Sequence, residues 1–276
     1  MGSLLKCDIR LTRRSLLISS CFVALCTFVL LFAGYCRAVT FQVPIRQMSF
    51  ADNVMVVFAG CSPFEFRPGI PFVPPLGWLL LFVAAAYGSL DYSAKSLTGF
   101  GSHILVEGCS RVNWLKAKFL WVLYVDLVVL SVAMLSTLIW TAAFNQDISF
   151  YAHRDLLVYL SVADDGLSYG EVNILTFCLS AAISFVSLSF VQLTIELIFN
   201  PAVALISTTM QLVAAAYYET PLLFANLLMS ARWSEMSRDS VPFNTSLSFG
   251  IFAAIVAIAI AFKFISNVDI IDRGMR

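Results

Sequence analysis

Charge is what this chain has least of. Asp, Glu, Lys and Arg together make up 12% of its 276 residues, against about 25% in an ordinary soluble domain. Hydrophobic residues make up 60%, and the mean hydropathy is +0.87. Too few polar side chains remain to cover a water-facing surface, so much of that surface must face lipid. Long polar stretches are also missing, which excludes a separate soluble catalytic domain. An imbalance of charge is missing too: 17 basic residues meet 17 acidic ones, so global charge points to no nucleic acid and no acidic partner.

The short signatures of common enzymes are absent as well. No Gly-x-x-x-x-Gly-Lys-Ser/Thr run occurs, so the chain does not hydrolyse a nucleotide through a P-loop of its own. There is no His-Glu-x-x-His and no Gly-x-Ser-x-Gly, which removes two widespread hydrolase plans. The pair Gly99 and Gly101 has no strand before it and is not read as a dinucleotide loop. The seven cysteines include no Cys-x-x-Cys pair. Cys21, Cys26 and Cys178 fall in apolar runs as small packing residues, whereas Cys36 and Cys61 share one predicted side and their pairing stays open. No catalytic residue, metal ligand or resident cofactor is assigned.

What is present is a series of apolar runs. A helix needs about 20 largely apolar residues to cross the hydrocarbon core. Six segments meet or approach that length: 15–35, 70–90, 119–144, 173–199, 201–218 and 246–265. Pro71, Pro74 and Pro75 make the start of the second irregular. Asn200 and Pro201 break the chain between the fourth and fifth, and Pro201 suits a first helical turn. The first run is as long as a bilayer requires and has no convincing small-x-small cleavage site, so it reads as a retained helix and not a signal peptide. Residues 4–14 before it read as a short interfacial helix, with arginines towards headgroups. The expected fold is one all-α domain over 1–276, a six-helix membrane bundle.

Lysine and arginine orient the bundle. With the N-terminus inside, the inner pieces hold Lys6, Arg10, Arg13, Arg14, Lys95, Arg111, Lys116, Lys118, Lys263, Arg273 and Arg276. The outer pieces hold Arg37, Arg46, Arg67, Arg154, Arg232 and Arg238, a balance of 11 to 6. Both termini are therefore expected in the cytoplasm. This topology puts His103 and His153 on opposite sides, where they cannot share a metal. The outer loop with Asp147, Asp155, Asp164, Asp165 and Glu171 reads as a solvated acidic loop. Asn244 and Ser246 frame a possible N-glycosylation acceptor.

Several stretches carry more specific expectations. Asp126 and Glu196 are ionisable residues within spans, and Gln192 lies one turn from Glu196 on the same face. They are candidates for a polar pathway, although both acids lie near inner helix ends and can instead pair locally. The apolar segment 221–229 is too short to span, so it is either re-entrant or flat in the interface. A re-entrant segment would make Pro221, Asn226, Met229 and Arg232 an outer gate. The second inner loop places apolar Ile104, Leu105 and Val106 between Gly99, Gly101 and Gly108, followed by Arg111, Trp114, Lys116 and Lys118. That pattern fits an amphipathic helix lying along the membrane.

The second inner loop, Asp91 and Tyr92 after the second span, Met229 and Arg232 in the outer segment, and Asn267 to Ile271 in the tail together resemble the bacterial permease subunits of ABC-2 type exporters. Glu107 departs from that pattern, standing where basic residues are usual. The resemblance implies a multi-pass plasma-membrane protein that pairs with a second permease subunit. It implies a separate ABC ATPase subunit that binds the ATP and docks on a coupling helix: Gly99, Phe100, Gly101, Ser102, His103 and Ile104, with Arg111. Two alternatives stay open: a secondary transporter using Asp126 or Glu196 as an ion site, and a non-transport membrane factor such as an immunity or assembly protein.

Overall fold

The computed structural model describes residues 2–62, 64, 71–90, 92–93, 96, 110–164, 170–238, 240 and 242–267. The expected coupling helix, Gly99 to Ile104, lies outside the described residues. Helices dominate: α1 (Gly2–Thr40), α2 (Phe50–Val57), α3 (Leu76–Tyr87), α4 (Arg111–Ala143), α5 (Arg154–Tyr159), α6 (Leu175–Ile198), α7 (Pro201–Tyr217) and α8 (Phe243–Asn267). Of these, α1, α4, α6 and α8 are long and apolar enough to cross a membrane. The chain is a mostly helical membrane protein.

Helices stand at all six expected spans, but two are short. The 12 residues of α3 rise about 18 Å and the 17 of α7 about 26 Å, against a hydrocarbon core of about 30 Å. The causes are local. Prolines 71, 74 and 75 keep the chain out of a helix before α3, since each lacks an amide hydrogen and fixes its own φ. At the start of α7, Asn200 is extended and its side chain accepts a hydrogen bond from the Val203 amide, with Pro201 in the first turn. Two other helices run longer than expected. Residues 4–14 continue directly into α1, and α4 begins at Arg111 instead of 119.

The helix α6 lies at the centre, against α4, α7 and α8, while α1 packs on α3 and α4. Small polar residues let α6 sit there. Ser180, Ser184, Ser187, Ser189, Gln192 and Thr194 are buried, and each hydroxyl or amide has a partner. Without water in the hydrocarbon, an unpartnered polar group there costs several kcal/mol.

The two ends of the bundle differ. At one end, Arg111 of α4 donates to the Ile265 and Ser266 carbonyls of α8 at 3.2 and 3.1 Å, and Lys118 meets Asp8 of α1 at 2.8 Å. Gly2 and Asn267 therefore lie at the same end. At the other end sits a cap, which has no counterpart among the apolar runs. It contains the buried helix α2, the short helix α5, and a two-stranded antiparallel sheet of β1 (Tyr151–His153) and β2 (Glu171–Asn173) with His153 opposite Glu171.

Candidate functional site

The segment expected to form an outer gate folds into the cap as two 3-10 turns, Phe224–Leu228 and Ser230–Arg232. Asn226, Met229 and Arg232 are buried, while Pro221 stands half-buried at the preceding turn. Such irregular backbone leaves amides and carbonyls without partners, and at membrane depth these must be supplied by protein. Three helices supply them. The Ser184 hydroxyl of α6 donates to the Phe224 carbonyl at 2.7 Å. Trp78 Nε1 of α3 donates to the Leu228 carbonyl at 3.1 Å. The end of α2 accepts from Ser230, through the Met55 carbonyl at 2.6 Å and the Phe58 carbonyl at 2.8 Å. At a fourth helix, α7, the direction is reversed, and Arg232 of the segment serves the helix carbonyls.

Arg232 is 4% exposed. Its guanidinium donates to the carbonyls of Ala215, Ala216 and Tyr218, to the Cys61 carbonyl and to Asn226 Oδ1. The first two are the terminal carbonyls of α7, which no further helical turn can satisfy. The negative end of the helix dipole lies there as well, so a cation is favoured. Asn226 Nδ2 adds bonds to the carbonyls of Tyr218 and Thr220, and the Cys61 thiol donates to Ala216. Burial pushes the Arg232 pKa down, opposed by Cys61 and Glu219; burial also raises the Cys61 thiol, with Arg232 opposing. Met229 covers Gly60, whose φ of +66° is left-handed and whose missing Cβ would stand 2.5 Å from Met229 Cγ. A glycine is needed there on both counts.

The three candidate pathway residues are buried in contacts between helices. Asp126 of α4 accepts a hydrogen bond from Ser189 of α6 at 3.0 Å, while its Oδ2 has no hydrogen-bond partner among the described residues. Gln192 joins three helices: Nε2 donates to the Ala86 carbonyl of α3 at 2.9 Å, and Oε1 accepts from Thr208 of α7 at 2.9 Å. Glu196 is 2% exposed, near Lys118. The Gln192 bridge ties both short helices to α6.

Two clusters escaped the sequence reading. At the Arg111 end, Asp8 Oδ1 accepts from Lys118 Nζ at 2.8 Å and from the Tyr92 hydroxyl at 2.7 Å. Trp121 Nε1 donates to Thr12 at 3.0 Å, and the Lys118 ammonium lies 4.4 Å from the Tyr92 ring centroid. In the cap, Asp52 forms a capping box with Ser49 at the start of α2. Its carboxylate also meets His153, accepting from the backbone amide at 2.6 Å and contacting Nδ1 at 2.8 Å. The Ser-x-x-Asp spacing at 49–52 is a legible capping signal. Nothing in the local sequence ties Asp8 to Lys118. No group of three or more His, Cys, Asp or Glu among the described residues is arranged to hold a metal ion.

Chemically, the site is a clamp. One guanidinium and one carboxamide bind the end of α7, the turn after α2 and the 3-10 segment into one unit, and this unit plugs one end of the bundle. Compared with known proteins, the chain matches no family model, no curated protein and no solved structure.

Proposed function

We propose that the chain is the permease subunit of an ABC-2 type exporter. It pairs with a second permease subunit and is driven by a separate ABC ATPase subunit that binds the ATP. The observation that carries the reading is the return of 224–232 into the bundle at the end opposite Arg111. Phe224 packs against Gly250 of α8, and Arg111 binds Ile265 of the same helix, about 22 Å further along at 1.5 Å per residue. A permease needs both elements, a motor contact at one end and a closure at the other. In this reading the Arg111 end and both termini face the cytoplasm across a plasma membrane. Residues Gly99 to Ile104, with Arg111, receive the ATPase, and its ATP-driven closure biases the bundle between two states. The clamp at Arg232 keeps the far end shut in one of them. This chain itself hydrolyses nothing.

The test is copurification from the native host. A tagged wild-type chain is expected to bring down a P-loop ATPase, and Gly101→Asp or Ile104→Asp to release it while the chain stays in the membrane fraction. Undiminished copurification by both variants would refute the proposed docking element. A second reading, an ion-coupled transporter, draws on the unbonded Oδ2 of Asp126. It requires transport without any ATPase and loss of transport in Asp126→Asn.

A further inference from the structure

A cavity of about 400 Å³ opens at the Arg232 end between α1, the end of α2 and the start of α3. Its walls are mostly apolar, with Leu30 and Gly34 of α1, Val56 of α2, Trp78 of α3, and Leu160 after α5. Arg37 also lines it, one helical turn from Gly34. Glycines let the helices close round it: a Cβ on Gly34 would come within 2.5 Å of Val56, and one on Gly77 within 2.6 Å of Leu30. The size falls within the about 300–1,000 Å³ of ordinary small-molecule pockets.

Arg37 decides what fits. The one hydrogen bond of its side chain among the described residues goes to the Leu160 carbonyl at 3.4 Å, and no described carboxylate pairs with it. Most of its guanidinium fork is therefore open, and such a fork matches phosphate. Arg37 follows the apolar run of α1 and so lies at headgroup level, while Leu30 sits about 10 Å deeper along the helix at 1.5 Å per residue. A cation at headgroup depth above an apolar recess of this length is the arrangement that holds an anionic headgroup with its chain.

We propose that this cavity takes one acyl chain of an anionic membrane phospholipid, with Arg37 binding the phosphate. The inference needs only that α1 spans the membrane and does not rest on the permease reading. The bound lipid would wedge α1 against α3 and α2, at the junction where the 12-residue α3 leaves the bundle short of the bilayer surface.

The full-length chain in mild detergent is titrated with phosphatidylglycerol, phosphatidylcholine or inorganic phosphate, and bound lipid is counted by native mass spectrometry. Phosphatidylglycerol is expected to bind about tenfold tighter than phosphatidylcholine, whose phosphate is already neutralised by its own choline cation, and to raise the thermal midpoint. Inorganic phosphate is expected to do neither. Arg37→Gln should erase the preference between the two lipids. Leu30→Trp should block both lipids by filling the recess. Val73→Trp, at a rim position that is 74% exposed, does the same without touching helix packing. Equal retention of both lipids by the wild type, or unchanged selectivity in Arg37→Gln, overturns the headgroup assignment. Unchanged lipid binding in Val73→Trp overturns the cavity, and stabilisation by inorganic phosphate alone overturns the lipid as the occupant.

Discussion

Among the described residues, each end of the bundle buries one cation, and the two are satisfied by opposite means. Lys118, 1% exposed, faces a carboxylate, Asp8, with a tyrosine hydroxyl and two aromatic rings around it. Arg232, 4% exposed, is bonded almost entirely to neutral oxygens, chiefly the last carbonyls of α7. The first is a pair whose members neutralise each other. The second is a charge held by a helix end and by geometry. A lysine could not do what Arg232 does, because an ammonium is a point charge with three donors while the guanidinium is a planar fork with five. The comparison teaches that an ion pair is exchangeable as a unit, whereas a cation on helix carbonyls is tied to one side-chain shape.

The largest effect should come from Arg232→Met, which takes a donor from five oxygens, of which Ala216 keeps the Cys61 thiol and Tyr218 the Asn226 amide. With an unsatisfied buried acceptor costing about 1–3 kcal/mol and only some of the five reachable by water, a loss of about 4 kcal/mol is expected. It would be read as a fall in the thermal midpoint of the detergent-purified protein. Arg232→Lys should recover little of that loss. Recovery to the wild-type midpoint would mean that charge alone matters, and the contrast between the two ends would collapse.

The next effect sharpens the contrast from the other side. Lys118→Met strands Asp8 in a buried site and should cost about 3 kcal/mol, in line with breaking a buried pair. The double variant Asp8→Asn with Lys118→Met should recover most of this, because a buried pair removed whole is often neutral. If the double variant is as unstable as the single one, the Lys118 ammonium over the Tyr92 ring holds more of the energy than the pair does.

These two clusters also mark how far the sequence could be read. The apolar runs announced the helices, and the prolines at 71–75 announced the irregular start of α3. The length and content of 221–229 pointed to a non-spanning segment, with Asn226, Met229 and Arg232 singled out together. Their shared task was not legible, because the groups they serve are main-chain carbonyls of α7 and of Cys61, which carry no side-chain signature. Asp126, Gln192 and Glu196 were legible as polar residues within spans. Whether they line a pathway or tie helices depends on rotation about the helix axis, and that is set by packing. The Asp8 and Lys118 pair is separated by 110 residues, and only the tertiary fold brings it together.

The smallest effect concerns the cap, where charge depends on pH. The His153 ring touches buried Asp52 at 2.8 Å and lies 3.8 Å from Glu171 on the paired strand. Asp155 adds a more distant negative field, and Arg154, the next residue in the chain, pairs with Glu235. The Asp52 hydrogen bond raises the His153 pKa above its ordinary 6.5; partial burial opposes this, and the charges of Asp52, Glu171 and Asp155 reinforce it. A histidine whose folded pKa is raised binds its proton more tightly folded than unfolded. Its contribution is therefore complete below the unfolded pKa and disappears as pH rises through the folded one. The thermal midpoint of the wild type should thus fall relative to His153→Gln as pH increases from about 6.5, and the two curves should run parallel below that range. The difference should be small, because the side chain is 29% exposed and water screens the pair. A midpoint difference that is flat across this window would mean that the neutral imidazole holds the sheet on α2 as well as the charged one does. The cap would then resemble the Arg232 clamp, held by hydrogen-bond geometry, more than the Lys118 pair, held by opposite charge.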